Sequence, residues 1–356
     1  MSVVIFGDIF SFPEGNAATN RVHTYAKGFS EMGLQVHVIQ FANDYNSLGD
    51  GIYNGIAYYQ PFGTEKPSSS FVKRQLRKIA KFFKTVQLIR QINRSDQIQF
   101  INVCTNVFST HFFSWFLAKV SEAKLIIELN EHPLRHFQSG WLKRSLGLAK
   151  LRAELYFCDG VFCISNYLIG FLKSKNFTEQ KMLLVPSTVD PARFRITDQN
   201  PLDQPYIGYF GGLTFERDSV DLLLKAFAKA SKKHYDLKLC LAGFGSDSDL
   251  DKIKNLIKEL NIQNDTILLG YLEREEVIKY MMNAKILVMV RSNNLEAQAS
   301  FPSKLPEFLA CAKPVIAVNV GEISSYVTND TNIFLVEPDN ADALSDKIDF
   351  ILTKYN

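Results

Sequence analysis

Short apolar runs alternate with amphipathic stretches along the whole chain. The first run, 3–6, is followed by a predicted helix from about 17 to 32, in which Val22, Tyr25, Ala26 and Phe29 recur at helical spacing. The later runs are rich in β-branched or aromatic residues, and several precede helical stretches, which is typical of parallel βαβ units. Together the runs predict strands at 3–6, 36–39, 56–59, 100–103, 125–128, 160–164, 206–210, 237–241, 266–269, 286–290, 315–318 and 333–336.

A stretch with several prolines and polar residues, 191–205, separates the runs into two series. At 356 residues the chain is long enough for two domains of ordinary size. The predicted fold class is therefore α/β, with two doubly wound Rossmann-like domains at 1–195 and 196–356. Ligands bind beyond the carboxyl ends of the strands in such sheets, so two domains that face each other across a cleft can hold two substrates.

Composition and cysteine usage are those of an ordinary intracellular protein. Apolar residues make up 46% and charged residues 22%, which is normal for a soluble chain. Five scattered cysteines with no Cys-x-x-Cys pair favour neither a zinc site nor a disulfide framework, and they fit a reducing cytoplasm. The first residues are predicted to form a strand and not a signal peptide, and no apolar run approaches the roughly 18 residues of a membrane span.

Positive charge is concentrated in the first half of the chain, and its densest part is 71–95. That stretch contains eight lysines and arginines and no acid, with apolar residues at roughly helical spacing. Such a helix can lie on an anionic bilayer surface; the alternative is a solvated helix packed on its own sheet. No recognition motif accompanies the charge, so no nucleic-acid partner is predicted.

The segment 301–318 is predicted to form a loop, a short helix and a buried strand. Ser303 is a favourable N-cap, Pro306 is tolerated in the first turn, and Pro314 ends the helix. A helix N-terminus attracts phosphate through its free N–H groups and its dipole. Glu307 lies about one turn inside, where a carboxylate can accept hydrogen bonds from two ribose hydroxyls. The alternative is an ordinary loop and helix with a surface glutamate.

From Pro302 the chain reads Pro-Ser-Lys-Leu-x-Glu-Phe-Leu-Ala-x-x-Lys-Pro-Val-Ile, which resembles the donor-binding segment of glycosyltransferase group 1, the family 4 (GT4-like) enzymes of the GT-B fold. The segments 15–22, 185–190, 208–223 and 241–245 resemble other family segments and lie in the family's order. The resemblance implies a retaining, metal-independent hexosyltransferase, without a cofactor, that moves a sugar from a nucleotide sugar to a hydroxyl acceptor. The family's terminal crossover helix is expected to be missing or short.

The resemblance also implies a donor site in the second domain. It comprises a glycine loop, a cation that clamps the diphosphate, an aromatic residue near the base, two backbone N–H groups that meet the diphosphate, and a carboxylate that binds the ribose. In that order, the predicted donor-binding residues are Gly211 and Gly212, Arg217, Tyr271, Ser303 and Lys304, and Glu307.

Two positions of this donor site depart from the family's pattern. The family usually has an arginine where Gly212 stands, and a glutamate that touches the donor sugar where Ala299 stands. Glu296, three residues upstream, is a candidate substitute; the alternative is a solvated glutamate. No metal is predicted, because Asp247 and Asp249 are interpreted as first-turn acids of a helix.

Catalytic and acceptor-side residues are expected mainly in the first domain. Many family members have a histidine where Asn130 stands, and an asparagine can hydrogen-bond a hydroxyl but cannot act as an acid or base. His132 can replace that histidine with a one-residue shift; the alternative is turn chemistry before a proline. The predicted catalytic residues are Asn130, Glu131 and Arg217, and the predicted acceptor-side residues are Gly15, Asn16, Glu131 and His132.

The expected partners are a UDP- or GDP-linked sugar, a glycan or lipid-linked acceptor as in surface polysaccharide biosynthesis, and an anionic membrane surface contacted through 71–95. The expected location is the cytoplasm, peripheral on the inner face of the plasma membrane. Two alternatives stay open. One is a non-catalytic GT-B partner subunit, given Gly212, Ala299 and Asn130, and the other is a nucleotide-sugar epimerase on the same fold.

Overall fold

The computed structural model describes residues 1–15, 17–44, 49–63, 69–137, 140–195 and 200–355. The chain divides into two units, 1–188 and 189–356. The predicted domain boundary, after residue 195, lies inside the second unit. Each unit combines a mainly parallel sheet with the helices that connect its strands, so the predicted α/β class with two Rossmann-like domains is confirmed.

The first unit contains an eight-stranded sheet in the order β3-β4-β2-β1-β5-β6-β7-β8. Neighbouring strands are parallel except β3 and β4, which are antiparallel. The strands are β1 (Ser2–Gly7), β2 (Gln35–Gln40), β3 (Gly51–Tyr53), β4 (Ile56–Tyr59), β5 (Ile98–Cys104), β6 (Lys124–Leu129), β7 (Gly160–Cys163) and β8 (Met182–Leu184). The helices are α1 (Ala17–Glu31), α2 (Phe71–Ser95), α3 (Phe108–Ser121), α4 (Trp141–Phe157) and α5 (Asn166–Lys173).

The second unit contains a six-stranded parallel sheet in the order β11-β10-β9-β12-β13-β14. Its main core lies between this sheet and α6, α7 and α11. The strands are β9 (Tyr206–Gly212), β10 (Lys238–Phe244), β11 (Thr266–Gly270), β12 (Ile286–Met289), β13 (Val315–Val318) and β14 (Phe334–Val336). The helices are α6 (Val220–Ala230), α7 (Asp247–Glu259), α8 (Arg274–Asn283), α9 (Leu295–Ala299), α10 (Lys304–Ala310) and α11 (Ala341–Lys354).

Both sheets contain a point at which the strand order reverses. In the first unit the chain builds outward from β1 through β2 to β4 and then returns to β5 on the other side of β1. In the second unit it builds from β9 to β11 and returns to β12 on the other side of β9. Crevices at such switch points, beyond the carboxyl ends of the strands, are where ligands bind in doubly wound sheets.

Every strand predicted from the sequence is present, and the predicted helix at 17–32 is α1. Its apolar stripe is buried against the sheet, and Gly33, with φ of +83°, ends it. The strands β3 and β8 were not predicted, because three residues are too few for a periodic signal. Among the described residues, no helix combines the length and the apolar character needed to cross a bilayer.

All five cysteines are buried and none is bonded to another. Burial raises the pKa of four of these thiols to about 12. The fifth, Cys104, lies beside the Glu128 carboxylate, and its pKa is also raised, by burial and by that negative charge.

Candidate functional site

The ends of β9 and β10 approach each other so closely that only glycines fit. A Cβ atom on Gly243 would lie 1.7 Å from the Gly211 carbonyl oxygen, and Gly243 has φ of +151°, which favours glycine. The Tyr209 hydroxyl donates to the Gly212 carbonyl oxygen at 2.7 Å and holds the end of β9. The ends of these two strands therefore have no side chains at Gly211, Gly212 and Gly243, so a ligand can approach the backbone closely.

Hydrogen bonds join the loop after β9 to the loop after β12. The Ser292 hydroxyl donates to the Glu216 carbonyl oxygen at 2.6 Å, and the Ser292 N–H donates to the Arg217 carbonyl oxygen at 3.2 Å. Since the hydrogen of Ser292 Oγ is used in this way, Ser219 donates across the 2.8 Å separation between the two serine hydroxyls. Arg217 is thus anchored by its backbone, while its side chain is exposed.

The carboxylate of Asp218 explains the glycine at 212. A Cβ atom on Gly212 would lie 2.3 Å from Asp218 Oδ2, which accepts a hydrogen bond from Thr214 Oγ1 at 2.8 Å. A side chain at 212 would therefore require the Asp218 carboxylate to move away from Thr214.

Arg291 stands two residues after the end of β12 and was not predicted as a site residue. It is half-buried, and its Nη2 donates to Ser300 Oγ at 3.1 Å. Burial lowers the pKa of Arg291, and the positive charge of Arg217 lowers it further, although Asp218 acts in the opposite direction. A charged residue just after a strand at the switch point was the signal that would have identified it.

The predicted helix after Ser303 is α10, which carries Glu307 into a buried position. Lys304 Nζ lies 2.8 Å from Glu307 Oε2, and the carboxylate is almost fully covered. Ser303 occupies the N-cap position, but its hydroxyl makes no capping hydrogen bond. The rings of Phe308 and Phe210 meet edge to face with centroids 6.4 Å apart, so α10 packs against β9, the strand that ends in the glycine loop.

The remaining donor-side predictions differ in their exposure. Ala299, where the family has a glutamate, is fully buried at the end of α9. Glu296 is exposed on the same helix. Tyr271 directly follows Gly270 and is 70% exposed.

The acids at 247 and 249 begin α7, as predicted. The Ser246 hydroxyl caps this helix by accepting from the Asp249 N–H at 3.2 Å, and it donates to the Asp249 carboxylate at 2.6 Å. In the described part of the chain, no group of three or more His, Cys, Asp or Glu side chains is arranged to hold a metal ion.

In the first unit, Asn130 belongs to a buried charged network. Arg21 Nε lies 2.9 Å from Glu128 Oε2, and the Asn130 amide donates to the same oxygen at 2.9 Å. The other guanidinium nitrogens of Arg21 donate to the carbonyl oxygens of Pro186 and Val185 at 2.9 and 2.8 Å. The Asn130 Oδ1 atom is buried and accepts no hydrogen bond from any described residue.

The two residues after Asn130 have different surroundings. Glu131 is partly exposed and forms an ion pair with Arg135, one helical turn later. His132 is buried, with its ring 4.7 Å from that of Phe171, and its Nδ1 accepts from the Leu134 N–H at 3.2 Å. Burial lowers the pKa of His132, and Arg144 lowers it further. The ring is therefore a neutral packing element of the loop, and only Glu131 reaches solvent.

The loop after β1 is held in one conformation by buried amides. Gln40 Oε1 accepts from the Phe12 N–H at 3.0 Å, and Gln60 Nε2 donates to the Phe12 carbonyl oxygen at 3.1 Å. A Cβ atom on Gly15 would lie 2.4 Å from Thr19 Oγ1, so the glycine is required by packing. Asn16, the other acceptor-side prediction in this loop, lies outside the described residues.

Asp8 lies at the switch point of the first unit and was not predicted. It directly follows β1, and its two carboxylate oxygens accept from Thr105 Oγ1 at 2.6 Å and Thr110 Oγ1 at 2.8 Å. A carboxylate at the end of the first strand was the available signal. Both of its oxygens are engaged within the unit.

The basic stretch 71–95 is a single helix, α2, with an unusual distribution of side chains. Lys81 is buried and donates to the Phe41 carbonyl oxygen and to Asn43 Oδ1, each at 2.8 Å, and burial lowers its pKa to about 8. The opposite face exposes an apolar stripe at helical spacing: Val72, Leu76, Ile79 and Phe83. Helix α3 packs between α2 and α4, and α4 begins with Trp141, which is 80% exposed.

Comparison with known proteins gives one family and several relatives. Residues 193–356 match the family model of glycosyl transferases group 1. Two uncharacterized glycosyltransferases of Methanocaldococcus jannaschii are 24% and 27% identical to this chain over 153 and 190 residues. These alignments cover 43% and 53% of this chain but only 37% and 48% of the relatives, less than two thirds of their length.

A solved structure with the same fold is that of Anabaena HepE in complex with UDP-glucose. The alignment covers 100% of this chain and 91% of that one, with a TM-score of 0.69 and 16% sequence identity. The predicted resemblance to group 1 glycosyltransferases and the predicted GT-B fold are therefore confirmed.

Proposed function

Because residues 193–356 match the family model of glycosyl transferases group 1, we propose that this protein is a retaining glycosyltransferase that moves a hexose from a nucleotide sugar to a hydroxyl acceptor. One arrangement carries the proposal. The glycine-lined end of β9 lies beside Arg217, and the buried Glu307 lies on a helix packed against the same strand. The UDP-glucose bound to Anabaena HepE supports a UDP-linked hexose as the donor, with a GDP-linked one as the alternative.

In the proposed reaction, the acceptor oxygen bonds to the anomeric carbon while the bond from that carbon to the phosphate oxygen breaks. The leaving phosphate takes the acceptor proton, so the proposal involves no metal and no cofactor. Arg217 and the N–H groups of Ser303 and Lys304 stabilise the negative charge on the diphosphate, and Glu307 binds the ribose hydroxyls. Preorganised donors of this kind are each worth roughly 10²–10³ in rate in other enzymes. Asn130 and Glu131 contact the acceptor.

The test is donor hydrolysis and transfer with a panel of UDP- and GDP-sugars, comparing wild type with Glu307→Ala. We expect donor affinity and turnover to fall at least about tenfold, because a charge-assisted hydrogen bond is worth about 1.5–3 kcal/mol. Glu259→Gln, which removes an exposed carboxylate at the end of α7, is the matched control. Unchanged rates and donor KM in Glu307→Ala, with both variants folded, would show that the donor site lies elsewhere.

The same panel separates the alternative functions. Nucleotide binding without turnover of any donor would identify a non-catalytic partner subunit, which the buried Ala299 favours because no sugar-binding carboxylate stands there. Conversion of a sugar nucleotide in the absence of an acceptor would identify an epimerase.

The proposed acceptor is lipid-linked, and the proposed partner of α2 is the anionic cytoplasmic surface of a bilayer. The exposed stripe of α2 is apolar, and Lys73, Arg74 and Lys84 are exposed on the same helix. A helix of this kind is stabilised at an interface by buried apolar area and by about 1 kcal/mol for each basic residue near anionic lipid.

Vesicle co-sedimentation tests this membrane proposal. We expect binding to vesicles that contain phosphatidylglycerol, weakening as salt rises, and loss of binding in Leu76→Ser/Phe83→Ser. Tyr235→Ser, which removes an exposed aromatic residue of the second unit, is the control. Equal binding to neutral phosphatidylcholine vesicles would refute an electrostatic membrane site.

A further inference from the structure

The second unit contains a half-buried cation that the proposed reaction does not yet use. Arg291 lies at the switch point, two residues after the end of β12, the strand next to β9, which ends in Gly211 and Gly212. Its side chain donates one hydrogen bond, to the neutral hydroxyl of Ser300. No carboxylate of the described residues lies within ion-pair distance, 4.0 Å, of its nitrogen atoms.

We propose that Arg291 binds the donor diphosphate together with Arg217, as the second cation of the site. The inference rests on the proposed function and extends it to a residue outside the family segments quoted above. Gly212 has no side chain, and a Cβ atom there would meet the Asp218 carboxylate, so the position does not provide a second positive charge. Arg291, in the loop after the adjacent strand β12, provides it.

The energetics of burial support a ligand for Arg291. A buried charge is costly unless a counter-ion or a set of hydrogen bonds compensates for it. Arg291 donates to one neutral acceptor. Among the charged groups around it, the one with the largest effect on its pKa is another cation, Arg217. The two guanidinium groups repel each other when no anion is bound. A diphosphate has two negative charges and can accept bidentate hydrogen bonds from guanidinium groups, so its binding would offset this repulsion.

The position of Arg291 supports the diphosphate in particular. Through Ser300 it is tied to the loop that leads into α10, where Ser303, Lys304 and Glu307 are proposed to meet the phosphates and ribose. Through the hydrogen bonds of Ser292 its strand end is tied to the loop that carries Arg217. The guanidinium therefore lies between the two segments that are proposed to bind the donor.

The experiment measures the affinities of UDP, UMP and uridine by calorimetry, with GDP, GMP and guanosine in parallel. The variants are Arg291→Gln, Arg291→Lys and, as a charge control on the exposed face of α7, Lys254→Gln. We expect Arg291→Gln to weaken the nucleoside diphosphate by about 10- to 100-fold and leave the nucleoside unchanged. Arg291→Lys should recover part of the loss, since it keeps the charge but not the planar fork. The empty Arg291→Gln protein should melt no lower than wild type.

The outcomes separate this inference from the proposed function. If wild type binds and turns over a sugar nucleotide but Arg291→Gln keeps the wild-type ratio of diphosphate to nucleoside affinity, the inference on Arg291 is wrong and the function stands. If wild type binds neither UDP nor GDP, both are wrong. If Arg291→Gln does not fold, the diphosphate affinity of Arg291→Lys tests the inference instead. An affinity equal to that of wild type in this variant refutes the inference.

Discussion

Two arginines, the buried Arg21 of the first unit and the half-buried Arg291 of the second, have opposite electrostatic surroundings. Arg21 lies against the Glu128 carboxylate and donates to two backbone carbonyls. Burial disfavours its charge, but Glu128 and Tyr25 more than compensate, and the pKa of Arg21 is raised. For Arg291, burial and Arg217 lower the pKa more than Asp218 raises it. One guanidinium completes an internal network, and the other has a positive charge that its neighbours compensate only in part.

This contrast is the one expected between a structural arginine and the ligand-binding arginine that we propose. A buried arginine that is paired with a carboxylate of its own unit stabilises the fold without a ligand. An arginine without such a partner lowers the free energy of unfolding, and binding of an anion raises it again. The experiments below test this comparison in order of decreasing expected effect. Both tryptophans, Trp115 and Trp141, lie in the first unit, so their fluorescence reports its unfolding alone.

Breaking the network of the first unit should give the largest effect. Glu128→Ala leaves Arg21 buried without its carboxylate, and we expect the free energy of unfolding of this unit to fall by about 3–5 kcal/mol. Urea titration followed by tryptophan fluorescence measures it. The double variant Arg21→Met/Glu128→Leu removes both charges and should regain much of the loss. If Glu128→Ala is as stable as wild type, Arg21 does not depend on its carboxylate partner, and the proposed difference between Arg21 and Arg291 is wrong.

Acid should destabilise the first unit through a second buried group, His111. Its Nε2 lies 3.7 Å from Glu154 Oε1, which also contacts Lys150, and burial lowers the pKa of His111 to about 4. The unfolded chain, with a histidine pKa near 6.5, binds this proton more readily between about pH 6.5 and 4. Stability should therefore fall by about 3 kcal/mol as the pH drops through that window.

The measurement is urea unfolding by tryptophan fluorescence from pH 7 to 4, for wild type and His111→Gln. We expect a shallower pH dependence in the variant. Parallel curves would mean that His111 protonates in the folded state, paired with Glu154, and that the unit's acid sensitivity has another source.

Gly212→Ala should give a smaller loss, confined to the second unit. The added Cβ meets Asp218 Oδ2, the far end of a side chain that can move, so we expect overpacking to cost about 1–3 kcal/mol. Thermal melting of the variant, and of Gly212→Ala/Asp218→Ala as the rescue, measures it. Gly170→Ala, at a helical glycine with open space around it, is the control. If Gly212→Ala/Asp218→Ala melts no higher than Gly212→Ala, the Asp218 side chain is not the reason for the glycine at 212.

The elements that could be predicted from the sequence are those with a regular pattern of apolar residues. Central strands such as β1 and β13 are continuous apolar runs because they are fully buried, and these were predicted to within a residue or two. Helix α10 was predicted from its N-cap and proline positions together with the family motif. Burial and order along the chain were therefore accessible before any coordinates.

Side-chain partners were not accessible in the same way. Nothing in the sequence indicates that Glu131 pairs with Arg135, or that a lysine of α2 is buried while its apolar neighbours are exposed. Arg291 was missed for a related reason, since a lone arginine after a strand acquires meaning only when the strand order places β12 next to β9. Such features depend on contacts between residues far apart in the chain.

The burial of every cysteine makes the protein convenient for site-specific labelling. Thiol reagents react with the thiolate, and burial keeps all five thiols protonated and covered at neutral pH. A single cysteine introduced at an exposed position such as Lys254 would therefore be the one site that a maleimide dye modifies in the folded protein. Donor binding could then be followed optically in the wild-type background, with no native residue removed.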